Sequence, residues 1–404
     1  MASVYDVANA MNIRKVITHY TGEDVMATRG NISCPFHKDS SPSFKIYDQT
    51  NTYHCFSCGD SGTPINFVMA HQGLTAEGAA EQIAKDFGLL YTKAKPNPEY
   101  DQYVAVYDYV AGFFHVLNRH KEAAAENFWK TRGLESLIDE YKLGYCLKVY
   151  ISKHDGTVVT FKNIIKAKFP NIPDDVLDSY GIYDKYGNCI FGGRFVFPIQ
   201  DYRGNIVGFS GRASNSMTGV PKYLNTSENK FFKKRELLYN WHEARKYSTV
   251  FIVEGYTDAL SLIAQGTKNV VAAMGTSFTS DHLAMMKDKQ IVLALDNDIA
   301  GRCKMVDIIE DNPTTIMKVY ELKGHEDFNA GHMEGIKYTM DVDKETIYAP
   351  EYLIRFFKEE LELGFLYKRE ELFQRVNAVA KNYSPVAKDY FATILKRIIK
   401  GRRM

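Results

Sequence analysis

The feature that most constrains the fold is a pair of apolar runs that both end in carboxylates. The runs are residues 250–253 (VFIV) and residues 291–295 (IVLAL). The acids that follow them are Glu254 and Asp258 after the first run, and Asp296 and Asp298 after the second. Continuous apolar runs of this length are typical of strands buried on both faces of a parallel sheet. Because ligands collect beyond the carboxyl ends of such strands, the pattern predicts an acidic site at one sheet edge.

Strand and helix patterns alternate through 250–327, which predicts a parallel sheet with flanking helices. The expected strands are 250–253, 269–273, 291–295 and 315–320. Helices are expected from Thr257 to near Gly266, after a cap at Ser280, and from Ala300 to Ile309. A further pair of acids, Glu326 and Asp327, follows the last strand, so acids come after the first, third and fourth strands.

These acids indicate a magnesium or manganese site for phosphate chemistry. Asp296 and Asp298 are two residues apart and share one side of an extended chain. Magnesium binds a few carboxylates and keeps several waters, and two such ions can activate a hydroxyl and stabilise leaving pyrophosphate. Glu254 is expected to be a further ligand or a proton acceptor. A lone D-x-D is a weak signal, but one at the end of a buried strand, with E-G-x-x-D at another, is specific.

Two pairs of metal-ligand residues in the first ninety residues predict one structural zinc ion. The four expected ligands are Cys34, His37, Cys55 and Cys58. Each C-x₂-[HC] pair forms one knuckle of a tetrahedral zinc site. The alternating sequence between the pairs predicts a β-hairpin, and therefore a zinc ribbon. A subdomain with so few core residues depends on its metal to fold.

The ribbon hairpin is also a candidate surface for nucleic acid. Lys45, Tyr47 and Tyr53 are expected to be exposed, and cations beside aromatic rings suit stacking on bases. For any one of these residues, the sequence supports an ordinary solvent-exposed position on the hairpin about equally well. His54 breaks the ligand spacing and is expected to be a surface residue of the hairpin.

The segment before the acidic site is rich in basic, aromatic and amide side chains. A proline-containing linker at 92–100 separates it from the ribbon, and helices over 101–130 and short strands over 147–220 lead up to it. The residues of this segment that are candidates for binding a polynucleotide or a nucleotide are Arg212, Lys222, Tyr223, Asn225 and Lys234. Such a mixture of side chains suits a surface that binds the phosphates of a nucleic acid or nucleotide. The alternative is an ordinary solvent-exposed surface, which is what a run of charged residues usually forms.

Composition excludes several classes of protein. The 404 residues carry a formal net charge of +1, so nucleic-acid binding would have to come from local patches. Six cysteines are too few for a disulfide scaffold in a chain of this length and point to metal binding in a reducing cytoplasm. We expect no secretory signal and no membrane span, because the N-terminus lacks a long apolar core and no apolar run approaches the roughly 18 residues that a span needs.

Taken together, the motifs resemble those of bacterial replicative primases of the DnaG type and their phage-encoded relatives. The zinc motif resembles the family's in type and spacing. Phe197-Pro-Ile, Gly211-Arg212 and Pro221-Lys222-Tyr223-Leu-Asn225 are similar to its RNA-polymerase N-terminal subdomain, and the acidic segment with Met274-Gly-Thr276 is similar to its TOPRIM motifs. These motifs stand in the family's order over about residues 1–335.

The resemblance implies RNA primer synthesis on a single-stranded DNA template from ribonucleoside triphosphates. It implies catalysis by Glu254, Asp296 and Asp298, and magnesium ligation by Glu254, Asp258, Asp296, Asp298 and Asp327. It also implies a basic ridge that includes Arg212, Lys222 and Lys234, which Arg132, in a Thr-Arg-Gly-Leu stretch similar to one in the family, would join.

The expected fold is a multidomain α/β and α+β protein. Its parts are a zinc-ribbon domain (1–92), a mixed α+β subdomain (100–245), a TOPRIM parallel-sheet core (246–338) and a short helical C-terminal region (341–404). We expect about three helices in that last region, with Pro350 and Pro385 at helix starts. The region is much shorter than the family's helicase-docking region, which argues against recruitment of a replicative helicase and fits a phage or mobile element.

One departure from the family pattern concerns the acids. The family ends its acidic set with D-P-D, and this chain has Asp327-Phe-Asn329, which predicts weaker binding of a second metal. Two alternatives to a primase therefore remain open. One is another TOPRIM enzyme, of the nuclease or topoisomerase kind. The other is a non-catalytic, zinc-dependent factor that binds single-stranded DNA.

Overall fold

A computed structural model of the chain describes residues 4–39, 41–74, 76–90, 97–119, 128–152, 155–214, 217–274, 278–287, 289–358 and 366–399. Part of the expected linker (92–96) and two residues of an expected motif, Gly275 and Thr276, lie outside these ranges. The chain divides into two compact units, residues 1–98 with 245–248 and residues 99–244 with 249–404.

The first unit is a three-stranded antiparallel ribbon with four helices. In chain order its elements are α1 (Val4–Asn9), α2 (Ile13–Thr21), β1 (Phe44–Tyr47), β2 (Thr52–Cys55), β3 (Ser61–Gly62), α3 (Pro64–Gln72) and α4 (Ala76–Asp86). The predicted ribbon hairpin and its two following helices are confirmed, and the two N-terminal helices are additional. Phe44, Tyr53 and Phe67 form the aromatic centre of this unit's core.

The expectation that Tyr53 is exposed was wrong. Tyr53 pairs with Ile46 across the hairpin and faces the core, where its ring stacks on Phe44 with centroids 4.9 Å apart. Its hydroxyl donates to Asp60 at 2.5 Å. Because side chains alternate along a strand, the neighbouring pair Lys45 and His54 takes the outer face instead.

The first part of the second unit is an antiparallel sheet in the order β4-β7-β8-β9 with helices around it. Its elements are α5 (Pro98–Arg119), β4 (Gly144–Tyr145), β5 (Tyr150–Ile151), β6 (Val158–Val159), α6 (Phe161–Lys168), α7 (Asp174–Ser179), β7 (Arg194–Gln200), β8 (Ile206–Ala213), β9 (Tyr223–Asn225) and α8 (Trp241–Ala244). The predicted turn at 201–204 is confirmed, because the Asp201 carboxylate accepts from the backbone N–H groups of Arg203 and Asn205.

The second part of this unit is the predicted α/β sheet, in the order β11-β10-β12-β13-β14. The strands are β10 (Thr249–Val253), β11 (Val270–Ala272), β12 (Gln290–Leu293), β13 (Met317–Tyr320) and β14 (Thr346–Tyr348). The helices are α9 (Tyr256–Ala264), α10 (Ser280–Met285), α11 (Ile299–Asp311) and α12 (Phe328–Met333). The first four strands are parallel and β14 is antiparallel at the edge. Ser280 does not cap α10, because the Thr279 hydroxyl accepts from the N–H of His282.

The described residues of the C-terminal region are mainly helical, as predicted, and include α13 (Ala349–Phe356), α14 (Leu366–Ala380) and α15 (Pro385–Ile399). Pro350 and Pro385 lie in first turns, where proline's missing N–H costs no hydrogen bond. The Tyr383 hydroxyl donates to the carbonyl of Met317 at 2.9 Å, which ties these helices to β13. No helix within the described ranges combines the length and the apolar character that crossing a membrane requires.

Candidate active site

The first candidate site is the group of predicted zinc ligands. One potential ligand atom from each of Cys34, His37, Cys55 and Cys58 lies within 4.8 Å of the others. The two sulfurs of Cys34 and Cys58 are 3.9 Å apart, and His37 turns its Nδ1 towards Cys55 at 4.0 Å. The other ring nitrogen of His37 lies 3.7 Å from Asp39. Three thiols and one imidazole at this spacing are the donor set of a tetrahedral zinc site, so these residues fit the ion.

The second candidate site is the edge of the α/β sheet where three adjacent parallel strands end. Glu254 follows β10, Asp296 and Asp298 follow β12, and Asp327 follows β13. Asp258 lies in the first turn of α9, behind β10. Because β10, β12 and β13 are neighbours in the sheet, their carboxyl ends lie side by side. The other four predicted acids all lie close enough to Asp296 to repel its charge.

The electrostatics of these acids fit a divalent cation. Burial, and after it repulsion from Asp327, raises the pKa of Asp258 to about 7. Burial together with repulsion from the other four acids raises the pKa of Asp296 to about 8. One carboxylate oxygen of Asp296, Oδ1, is buried and has no hydrogen-bond partner. Clustered carboxylates with a free buried oxygen suit Mg²⁺, whose remaining positions waters and phosphates fill.

Local structure holds the acids in place. Asp298 and Asp327 are the N-caps of α11 and α12, and each accepts from a backbone N–H at 2.6 Å, that of Gly301 and of Ala330 respectively. Gly301 packs against the backbone of Asp296, where an added Cβ would lie 2.3 Å from the Asp296 carbonyl oxygen. The tight turn between Asp296 and α11 therefore depends on glycine.

Glu254 has a partner that sequence reasoning missed. The Nζ of Lys304, on α11, lies 3.0 Å from Glu254 Oε1. Lys304 follows the cap Asp298 on the same helix, and Glu254 ends the strand next to β12. A lysine six residues after the cap Asp298 could have been noted from the sequence. Its partner could not, because the partner depends on the order of strands in the sheet.

Two basic side chains that precede the acids in sequence, Arg132 and Arg212, lie together around Phe128. The guanidinium groups of Arg132 and Arg212 each lie 5.4 Å from the centre of the Phe128 ring. Arg212 also donates to the Tyr223 hydroxyl at 3.4 Å. Burial and the nearby Arg212 lower the pKa of Arg132, an effect that Tyr223, Asp327 and Asp258 oppose. Arg132 therefore lies between the basic cluster and the acids.

Phe128 is the second residue that sequence reasoning missed. It precedes Arg132 by four residues, a spacing that places two side chains on one helical face and that could have indicated a cation–π pair. The Phe128 ring also stacks on that of Phe195, with centroids 3.8 Å apart.

The remaining predicted residues occupy two places. The Asn225 Oδ1 accepts from the Tyr256 hydroxyl at 3.1 Å, and its Nδ2 donates to the Met274 carbonyl, so Asn225 links β9 to the α/β sheet. Lys222 is exposed beside β9. Lys234 begins a 3₁₀ turn (Lys234–Glu236) whose first carbonyl lies 3.3 Å from the His282 ring on α10. Lys234 thus lies next to α10.

Three protein-family models match the chain one after another. The model described as the CHC2 zinc finger matches residues 1–99, the DNA primase catalytic core, N-terminal domain, matches 113–245, and the Toprim-like model matches 251–332. The chain belongs to the DnaG-type DNA primase family. The four Cys/His residues lie in the segment that matches the CHC2 zinc finger, and all five acids lie in the segment that matches the Toprim-like model.

Individual relatives agree with this assignment. The DNA primase of Thermotoga maritima is 30% identical over 324 residues, which cover 76% of this chain and 54% of the relative. The chain spans about half the length of the curated DnaG-type relatives that it matches.

Solved DnaG-type structures share the fold. The Aquifex aeolicus primase structure, with zinc-binding and RNA polymerase domains, aligns over 100% of both chains with a TM-score of 0.57 and 24% identity. A structure of the DnaG primase catalytic domain bound to ssDNA aligns over 75% of this chain and 97% of that one, with a TM-score of 0.61 and 22% identity.

Proposed function

We propose that the chain is a DNA primase that joins ribonucleoside triphosphates into short RNA primers on a single-stranded DNA template. The observation that carries the proposal is the meeting of five carboxylates at one sheet edge, with a free buried oxygen on Asp296 and Arg132 close by. Membership of the DnaG-type family supports it, as does the similarity in fold to a primase domain that was solved with ssDNA.

The acids have distinct roles in this proposal. Glu254, Asp296 and Asp298 are the catalytic residues, and Asp258 and Asp327 complete the ligand set for Mg²⁺ or Mn²⁺. When bound, such ions activate the attacking hydroxyl and neutralise charge on the leaving pyrophosphate. The chain itself fixes the carboxylates through the caps of α11 and α12, so that little reorganisation is needed when substrate arrives.

The basic and aromatic residues handle the polynucleotide. Arg132, Arg212, Lys222, Tyr223, Asn225 and Lys234 form the candidate set for phosphates, bases and nucleotides. The two arginines and Tyr223 surround Phe128, which gives both positive charge and ring surface. In the zinc ribbon, the outer hairpin face with Lys45 and His54 is the second candidate surface.

We propose the division of labour that the sequence suggested. Residues 1–92 bind DNA, residues 100–245 guide template and nucleotide, residues 246–338 catalyse, and residues 341–404 pack as a helical region. Primer synthesis requires the chromosome and the ribonucleotide pool, so the proposed location is the cytoplasm of a bacterium or of a phage's host. A replicative helicase is the partner that such an enzyme would meet.

Primer synthesis from single-stranded DNA, ribonucleoside triphosphates and Mg²⁺ or Mn²⁺ tests the proposal. We expect short RNA products from the wild type and none from the double variant Asp296→Ala, Asp298→Ala. Asp298→Asn keeps an oxygen that can cap α11 but loses a charge, so it should fold like the wild type and still lose synthesis. Asp307→Asn, on the exposed side of the same helix, is the matched control and should remain active.

Two outcomes would contradict the proposal. RNA products that survive the double Asp296, Asp298 substitution would show that the acids are not the active site. A wild type that binds single strands without making primers at every metal tested would favour the non-catalytic binding factor. Supercoiled plasmid that is nicked or relaxed without primer synthesis would instead favour a different TOPRIM enzyme.

A further inference from the structure

Asn329 occupies the position where the family pattern has an acid, yet its surroundings are not those of a metal ligand. It lies in the first turn of α12 and is fully buried, with 0% of its surface exposed. Its backbone N–H donates to Asp258 Oδ1 at 3.0 Å. The backbone of residue 329 therefore already helps to fix one acid of the site, whatever its side chain does.

Both ends of the Asn329 side-chain amide form hydrogen bonds, and the partners are Arg132 and Ser261. Its Oδ1 accepts from Arg132 Nη1 at 2.5 Å, although the two residues are 197 positions apart in sequence. Its Nδ2 donates to the Arg132 carbonyl at 3.1 Å and to the Ser261 hydroxyl oxygen at 2.8 Å. The Ser261 hydroxyl donates its own hydrogen bond to the Thr257 carbonyl, so its oxygen acts as the acceptor towards Asn329.

Only an amide satisfies this arrangement. A guanidinium can only donate and a carbonyl can only accept, so the partners fix which end of the Asn329 amide faces which group. An aspartate at this position could accept from Arg132. It would also place an unprotonated oxygen against the Arg132 carbonyl and the Ser261 oxygen, and buried acceptors that face each other are costly.

We infer that Asn329 is a positioning residue and not a metal ligand: its amide fastens Arg132 to helix α9, which carries Asp258. The inference rests on the proposed function, in which Arg132 contacts the phosphates of the polynucleotide. The inference implies that the residue in place of the family's last acid has a different task. Its hydrogen bonds set the distance of Arg132 from the remaining acids.

A double-substitution cycle tests the inference with two binding readouts on the full chain. The variants are Asn329→Ala, Arg132→Met and the two combined. Affinity for fluorescein-labelled oligodeoxythymidylate is measured by anisotropy, and Mn²⁺ binding by electron paramagnetic resonance without DNA. We expect Asn329→Ala to weaken DNA binding about tenfold, the size of a lost hydrogen bond to a charged group, and to leave Mn²⁺ stoichiometry and affinity unchanged. In the Arg132→Met background it should have no further effect on DNA affinity.

Two additional variants serve as controls. Asn240 is also a buried asparagine, 2% exposed, whose amide donates to the carbonyls of Lys268 and Val270, but it lies away from the acids. Asn240→Ala should lower the melting temperature and leave DNA affinity intact. If Asn329→Ala does not fold, Ser261→Ala removes only one acceptor of the amide and should weaken DNA binding less, again without effect in the Arg132→Met background.

The outcomes separate this inference from the proposed function. A fall in Mn²⁺ affinity or stoichiometry in Asn329→Ala would overturn the inference, as would DNA-binding losses that simply add to those of Arg132→Met. A wild type that neither binds DNA nor makes primers would overturn the proposed function. In that case Mn²⁺ titration and the coupling of the two substitutions in thermal melts still decide the role of Asn329.

Discussion

At the scale of single residues, Glu254 and Lys304 form an ion pair within the acidic site, with 3.0 Å between Lys304 Nζ and Glu254 Oε1. Both side chains are partly exposed, at 28% for Lys304 and 35% for Glu254, so solvent weakens the pair. Lys304 nevertheless lies where a cation bound to Glu254 would have to compete with it. The pair reduces the repulsion among the acids while no metal ion is bound.

We predict that Lys304→Ala raises the affinity for Mn²⁺ by about two- to fivefold, the range expected for loss of a partly exposed ion pair. The reason is that the ion no longer displaces an ammonium group from Glu254. Titration of Mn²⁺ by electron paramagnetic resonance at fixed ionic strength measures the change. Lys344→Ala is the matched control, because Lys344 pairs with Asp341 at the same 3.0 Å but at 84% exposure and outside the acid set. Unchanged or weaker Mn²⁺ binding in Lys304→Ala would contradict the prediction.

Other residues show how far sequence reasoning reaches. The spacing of Asp296, Asp298 and Gly301 follows from a strand that turns sharply into a helix, so their neighbourhood could be predicted locally. The orientation of Tyr53 could not, because the face that a strand residue occupies depends on which partner it pairs with. Register with β1 decided that Tyr53 faces the core.

At the scale of elements, the zinc ribbon is a small sheet whose strands have two to four residues each. So short a sheet contributes little stability of its own. The zinc ligands join the segment before β1 to the end of β2 and the turn after it. Metal binding to such a site supplies roughly 10–16 kcal/mol in zinc-binding peptides, far more than a ribbon of this size gains from its strands.

We therefore predict that Cys58→Ser loses zinc and unfolds the ribbon. Zinc content by a colorimetric chelator assay should fall by about one equivalent per chain, since the site holds a single ion. Limited proteolysis with mass spectrometry should then show new cleavages between residues 30 and 62. Cys303→Ser changes an exposed cysteine outside the ligand set and should change neither readout. Full zinc retention by Cys58→Ser would show that the ribbon binds its metal differently.

The α/β elements were predicted closely because their signals are local. Apolar runs marked the buried strands, and acids or glycine marked their ends. The boundaries differ by one or two residues at most strands, as between the predicted 250–253 and the observed Thr249–Val253. The antiparallel edge strand β14 was not predicted, because the short segment Thr346–Tyr348 has no apolar run to mark it.

At the scale of the whole molecule, a net charge of +1 means that no global field attracts DNA. The DNA binding that we propose would therefore have to come from local cations, and the candidates are Arg132, Arg212, Lys222 and Lys234. If these four cations each neutralise one phosphate, the logarithm of the single-strand binding constant should fall with the logarithm of salt concentration with a slope of about −3.

Anisotropy titrations in a series of KCl concentrations measure this slope. Lys222→Ala should make it shallower by about 0.7, because one fewer counterion is released on binding. Lys344→Ala should leave it unchanged. A slope near zero, or equal effects of the two lysine substitutions, would show that the basic set does not contact phosphates.

The sequence by itself determined which cysteines, histidine and acids are candidate ligands, and the order of the main elements of the ribbon and of the α/β sheet. Residue spacing over short stretches of sequence is enough to recognise the zinc ligands, the acids at strand ends and the alternation of strands and helices. The resemblance to DnaG-type primases rested on the same local motifs, read in order.

Only the tertiary structure decided which distant side chains meet. It placed Lys304 on Glu254 because β10 and β12 are neighbours, although β11 lies between them in the chain. It joined Asn329, which the sequence marked only as a missing carboxylate, to Arg132 by a hydrogen bond across 197 residues. Such contacts depend on the order and packing of whole elements, and no periodicity within one element carries that information.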